Sequence, residues 1–187
     1  MEQYYCDFGN WLRSQFPYKV QKISVNAGFT CPNRDGRIGR GGCFYCNNQT
    51  FNPAYCDNGK SVTQQLEDGK QFFSGKYPEM KYLAYFQAYT NTYGTNDHIK
   101  KLYEEALSHK EIQGLVIATR PDCLLDEILN YLHELNKKTF LTVELGLQTI
   151  HEKTRKDLNR FEELDEIIKV CNELKKRNIN TVVHIIN

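Results

Sequence analysis

The chain has 187 residues, with 24 Lys and Arg against 23 Asp and Glu, for a formal net charge of +1. With 40% hydrophobic and 25% charged residues it has the composition of a globular domain able to bury its own core without disulfide or metal staples. No apolar run approaches the roughly 18 residues that span a bilayer. Residues 1–16 lack the basic-then-apolar pattern of a secretory signal, and near-zero charge gives no electrostatic footprint for strong nucleic-acid binding. The expected setting is cytoplasmic, with no membrane partner. There the seven cysteines stay reduced and serve as ligands, catalysts or core residues.

In chain order, residues 1–17 read as an N-terminal extension and Tyr18–Val25 as a first strand. Residues 28–58, rich in Gly and Pro around Cys31 and without a long apolar run, read as a functional loop, since long irregular segments inside compact domains are functional or disordered. Val62–Phe73 reads as a helix and Tyr82–Ala88 as a second strand. Ile99, Leu102, Tyr103, Ala106 and Leu107 then form one apolar helical stripe, with Asn96 or Asp97 as N-cap. Gly114–Thr119 is a third strand, and Leu125, Ile128, Leu129 and Leu132 mark the next helix. Phe140–Leu147 is a fourth strand. Leu164, Ile167, Ile168 and Cys171 mark a helix ending in the basic turn Lys175-Lys176-Arg177 before Asn178, and Thr181–Ile186 is a fifth strand. Near-continuous apolar runs suit strands buried on both faces of a parallel sheet. Their alternation with helices predicts an α/β fold with right-handed crossovers, either an open sheet or a barrel.

The cysteines Cys31, Cys43 and Cys46 follow the spacing C-x11-C-x2-C. A tight turn puts two thiolates on one side, and glycines let the loop fold back to bring the third. Three chemistries fit. Zinc would take Cys56 as a fourth ligand; Cys43 and Cys46 could be a redox pair; or three thiolates could hold an iron–sulfur cluster with one iron open.

The loop after the first strand, ending Cys43-Phe44-Tyr45-Cys46, resembles the cluster loop of the radical SAM superfamily. Cys31–Gly36 (C-P-N-R-D-G) and Phe86–Tyr93 (F-Q-A-Y-T-N-T-Y) bring the resemblance closest to a bacterial family related to the elongator-type tRNA-modifying subgroup, over essentially the whole chain. It implies a partial TIM-type (β/α) barrel of parallel strands with about five βα units and an active site at the C-terminal strand ends. It further implies that Cys31, Cys43 and Cys46 bind a [4Fe-4S] cluster whose open iron takes S-adenosyl-L-methionine (SAM). SAM would be reductively cleaved to a 5′-deoxyadenosyl radical acting on a substrate the sequence does not name, with an external electron donor; a tRNA substrate is the subgroup's alternative.

The same resemblance implies roles for single residues. Tyr45 is expected beside the cluster, its backbone near the adenine. Gln87 and Thr90, where relatives carry a glycine-rich stretch, are candidates for the SAM amine. Glu144, a carboxylate in an apolar strand, is a ribose ligand or a buried partner of Arg120. Gln148 and Arg160 lie twelve residues apart, as in relatives where both contact SAM, and the Arg160 fork suits a carboxylate. Glu162 stands where relatives usually have a histidine. His184 faces the nucleoside or is a core histidine. Relatives continue past the fifth strand into another βα unit, so residues 1–187 are expected to be one domain truncated before the sixth strand, self-associating through Thr181–Ile186.

Overall fold

The computed structural model describes residues 4–47, 52–75 and 79–186. Its five strands are β1 (Val20–Val25), β2 (Lys81–Phe86), β3 (Ile112–Thr119), β4 (Phe140–Gln148) and β5 (Asn180–Ile185), in spatial order β1-β2-β3-β4-β5 with every neighbouring pair parallel. Helices α1 (Phe8–Gln15), α2 (Val62–Ser74), α3 (Asn96–Leu107), α4 (Asp126–Asn136), α5 (Glu152–Asp157) and α6 (Leu164–Lys176) connect them, with a 3₁₀ turn at Pro121–Cys123. This is an α/β fold, as the alternation implies, and a partial barrel, as the resemblance implies. No helix among the described residues is long and apolar enough to cross a membrane.

Strand parity sorts the side chains. Ile23, Phe86, Leu115, Ile117, Leu141 and Leu145 point to the helix side and pack with Leu66, Tyr103, Leu132 and Leu174 in the main core. Tyr103 meets Phe86 edge-on at 4.8 Å and donates its hydroxyl to the Asn91 carbonyl at 2.7 Å. On the opposite, inner face a second cluster joins Leu12, Leu83 and Val116, flanked by Trp11, Phe16, Val20 and Phe140. The described part of the expected extension, residues 4–17, is thus packed into the fold. Asp7 caps α1, its Oδ1 accepting from Asn10 N at 2.7 Å, and Leu12 plugs the inner face. With only eight residues, α1 gives a stripe too short to stand out by periodicity.

Several boundaries differ from the sequence reading. Helix α3 starts after Thr95, which makes no side-chain capping bond, so neither Asn96 nor Asp97 is the cap. Leu125 precedes α4 and is 64% exposed, and Ile168 is 50% exposed. Val170 and Leu174 take the buried positions on α6 instead, because the helix presents its Ile167 side to the sheet. Strand β5 is not buried on both faces, as Val183 and Ile185 are exposed; among the described residues it pairs only with β4 and forms the sheet edge.

Close helix–sheet approach depends on Gly69 of α2, where a Cβ would sit 2.3 Å from Ile23 Cγ2 and 3.1 Å from the Tyr55 ring. Gly69→Ala is therefore expected to destabilise the fold by about 1–3 kcal/mol despite the better helix propensity of alanine. A denaturant midpoint equal to or above that of the wild type would contradict this.

Candidate cluster and cofactor site

The C-terminal strand ends share one level: Val25 pairs with Phe86, Phe86 with Ile117, and Ala118 with Glu144. The segments that follow carry the cysteines, Thr90, Arg120 and Gln148. Ligand sites in parallel α/β folds form at this end. A cavity of about 150 Å³ opens here, lined by Cys31, Cys43, Cys46, Tyr45, Thr90, Arg120, Glu144, Gln148, Arg160 and His184 among others. A larger recess of about 680 Å³ lies between α1 and the start of β1 and contains none of the cysteines. It faces the other end of the strands, away from the cysteine loop.

The cysteine loop is ordered by its own backbone. Arg34 N and Asp35 N donate to the Cys31 carbonyl at 2.8 and 3.2 Å, Gly42 N to Asn33 O at 2.9 Å, and Cys46 N to Cys43 O at 2.9 Å. The last bond is the tight turn that turns Cys43 and Cys46 the same way. Gly42 adopts φ +86°, and a Cβ there would meet Arg34 Nη1 at 2.7 Å, so only glycine lets the loop fold back at that point. The loop is tied to the far side of the barrel mouth. Asn159 Nδ2 donates to Gly42 O at 2.8 Å, Phe44 N to Leu158 O at 3.2 Å, and Asn33 Nδ2 to Asn159 O at 2.5 Å.

None of the seven cysteines is in a disulfide. Asn33 Nδ2 donates to Cys43 Sγ at 3.4 Å and Arg160 Nη1 approaches it at 4.0 Å, the outer-shell donors a metal-binding thiolate needs. Among the described residues no three His, Cys, Asp or Glu side chains gather around a point that one ion could fill. A cluster spreads its thiolates over a wider base than one zinc ion, because each binds a different iron. Cys56, the fourth ligand of the zinc alternative, lies in the core on the helix side, where burial pushes its thiol up to about 11.

Other residues differ from expectation. Glu144 does not pair with Arg120. It accepts from Lys22 Nζ at 2.5 Å and Tyr85 Oη at 2.7 Å, and His184 Nε2 lies 3.2 Å away. His184, with a 46% exposed side chain, is not a core histidine. Arg120 instead forks onto Asp122 (2.9 and 3.0 Å) and reaches Glu162 at 3.2 Å. Arg160 donates to Tyr45 Oη at 2.7 Å, to Glu162 Oε1 at 2.7 Å and to the Gly146 carbonyl. Tyr45 therefore joins the site through its hydroxyl; burial holds its phenol well above the usual range, so it stays protonated. Gln87 does not line the cavity, and its amide donates to Ser24 Oγ at 2.7 Å.

Two lining residues, Tyr89 and Gln148, hold left-handed backbones at φ +63° and +66°, strain of about 1–2 kcal/mol each that the surroundings must impose. Gly146 leaves room for this, since a Cβ there would stand 2.8 Å from Gln148 Nε2 and 3.3 Å from Arg160 Nη2. The fully buried Thr90 Oγ1 and Arg120 Nη1, both on lining residues, have no hydrogen-bond partner. Sequence reasoning missed Lys22, Tyr85, Asn33 and Asn159. Lys22 alone had a local signal, sitting at the same strand parity as Val20 and Ser24.

A cysteine loop over the C-terminal mouth of a parallel partial barrel marks a radical SAM domain. The radical SAM superfamily profile matches residues 31–187, and the chain belongs to this superfamily. It is 39% identical over 186 residues to YtqA of Bacillus subtilis (strain 168), covering 100% of this chain and 58% of that protein. To YhcC of Escherichia coli (strain K12) it is 36% identical over 180 residues, covering 96% and 57%. The chain thus spans less than two thirds of these relatives. In fold it is similar to the archaeal Methanocaldococcus infernus Elp3 with an N-terminal deletion, with TM-score 0.60 and 17% identity over 90% of this chain and 38% of that one.

Proposed function

We propose that the chain is the radical-generating part of a radical SAM enzyme, with Cys31, Cys43 and Cys46 holding a [4Fe-4S] cluster and SAM bound beside them. One observation carries this reading: three thiols outside any disulfide and the unpartnered Thr90 Oγ1 and Arg120 Nη1 border one cavity at the C-terminal strand ends. The chemistry the bound groups supply is one-electron reduction of SAM, which breaks its sulfur–C5′ bond to give methionine and a 5′-deoxyadenosyl radical. The chain's own residues prepare that step. The backbone of the loop presents the thiolates, and Asn33 and Arg160 donate toward Cys43. Thr90 and Gln148 offer polar groups to SAM, and the Leu12–Leu83–Val116 cluster keeps water from the inner face. The reading requires an external electron donor and a reducing, cytoplasmic compartment.

Anaerobic reconstitution with iron and sulfide, then addition of SAM and dithionite, tests it. The loaded protein is expected to absorb broadly near ~400 nm and to release 5′-deoxyadenosine; loaded protein that releases none refutes it. Thr90→Val is expected to weaken SAM binding roughly fivefold, about 1 kcal/mol. Its unfolding midpoint should not fall, because the hydroxyl makes no bond to lose. Unchanged calorimetric affinity would remove Thr90 from the SAM site.

A further inference from the structure

We propose that Glu162 clamps Arg120 and Arg160 into a pair of guanidiniums that address Cys31 and Cys43 and raise the reduction potential of the cluster those thiolates hold. The inference rests on the cluster reading above. Glu162 Oε1 lies 2.7 Å from Arg160 Nη2 and 3.2 Å from Arg120 Nη2, and its side chain is fully buried. One carboxylate oxygen thus ties together two cations that reach the cavity from different elements, Arg120 from the end of β3 and Arg160 from the loop after α5.

Each arginine keeps one terminal nitrogen, Nη1, that Glu162 does not hold. Arg160 Nη1 already lies 4.0 Å from Cys43 Sγ while donating to Tyr45. On Arg120, Nε and Nη2 are taken by Asp122 and Glu162, which leaves Nη1 buried without an acceptor on a residue that lines the cavity with Cys31. A buried cationic N–H without an acceptor is costly, and a thiolate or sulfide at Cys31 would relieve it. Asp122 and Glu162 offset the charge of the two arginines, but the arginines line the cavity and the carboxylates do not, so a cluster there meets the guanidiniums first. The more negative, reduced cluster therefore gains more from them than the oxidised one does, which raises the potential.

The test is a potentiometric titration, followed by electron paramagnetic resonance, of anaerobically reconstituted protein, with iron and sulfide counted in each sample. Arg120→Gln is expected to lower the reduction equilibrium at least tenfold, about 59 mV for a one-electron couple. Glu162→Gln deletes the negative charge and keeps both guanidiniums, so its midpoint is expected to move the opposite way. Arg120→Lys retains the charge and should move less than Arg120→Gln. Fully loaded Gln variants with unchanged midpoints, or shifts of the same sign, would overturn the proposal. If Arg120→Gln takes up no iron, Glu162→Gln decides by sign, and a midpoint that is not raised overturns it. Loss of iron from both Gln variants, with Arg120→Lys loaded at the wild-type midpoint, would mean a purely structural clamp and also overturn it. Failure of the wild type to take up a cluster would instead refute the cluster reading itself.

Discussion

Cys43→Ala, like Cys31→Ala and Cys46→Ala, is expected to abolish stoichiometric iron and sulfide uptake on anaerobic reconstitution, whereas Cys56→Ala keeps it. The three thiols border one cavity, and Cys43 already receives a hydrogen bond from Asn33. Cys56 sits in the core beside Tyr55 and Val62, with its thiol pushed up by burial, so it resists the deprotonation that metal binding requires. Its truncation should cost only about 1 kcal/mol of stability through lost packing. If Cys56→Ala lost iron as completely as Cys43→Ala, a fourth thiolate would belong to the site and the zinc alternative would return.

Glu144→Ala is expected to destabilise the fold by about 3 kcal/mol, the scale for removing one partner of a buried ion pair. It would leave Lys22, Tyr85 and His184 without their shared acceptor. The same carboxylate sets a pH dependence. Burial alone would raise it, but hydrogen bonds from His184, Lys22 and Tyr85 and the charge of Lys22 outweigh burial and hold it down to about 2. An unfolded glutamate titrates near ~4.3, so between these values the unfolded chain binds more protons. The stabilisation from Glu144 is therefore complete above about pH 5 and fades as the pH falls toward 2, by roughly 3 kcal/mol in all. Glu144→Gln should flatten this part of a denaturation-versus-pH profile. An equally steep acid loss in the variant would assign the effect to other carboxylates.

What the sequence made legible was local. The cysteine spacing, the apolar runs and the helical stripes each lie within a short window, and the parallel sheet follows from their alternation. The pairings within the site were not legible, because they join distant segments through strand parity and register. Lys22 and Glu144 are 122 positions apart, and they meet because both point to the inner face of the sheet. Arg120 looked like the natural partner of Glu144. The backbone turns after β3, however, and Asp122, two residues on, captures the guanidinium first. Glu162 read only as a departure from a family pattern, since nothing in its neighbours shows that it lies between two arginines. Helix α1 was missed for its length, and β5 looked buried because an edge strand and a central strand share the same apolar alphabet.

The family match begins at residue 31, six residues after the end of β1, yet much of what the matched region needs lies upstream. Lys22 supplies the cation that Glu144 of β4 accepts, and Ser24 receives the Gln87 amide from the end of β2. Leu12 covers Leu83 and Val116. A version trimmed to the matched residues would bury a carboxylate with no lysine to answer it and open two central strands to water. Sequence boundaries drawn around the cysteines cut through the cooperative unit that supports them, and residues 4–30 belong to the folded domain as much as the cysteines do.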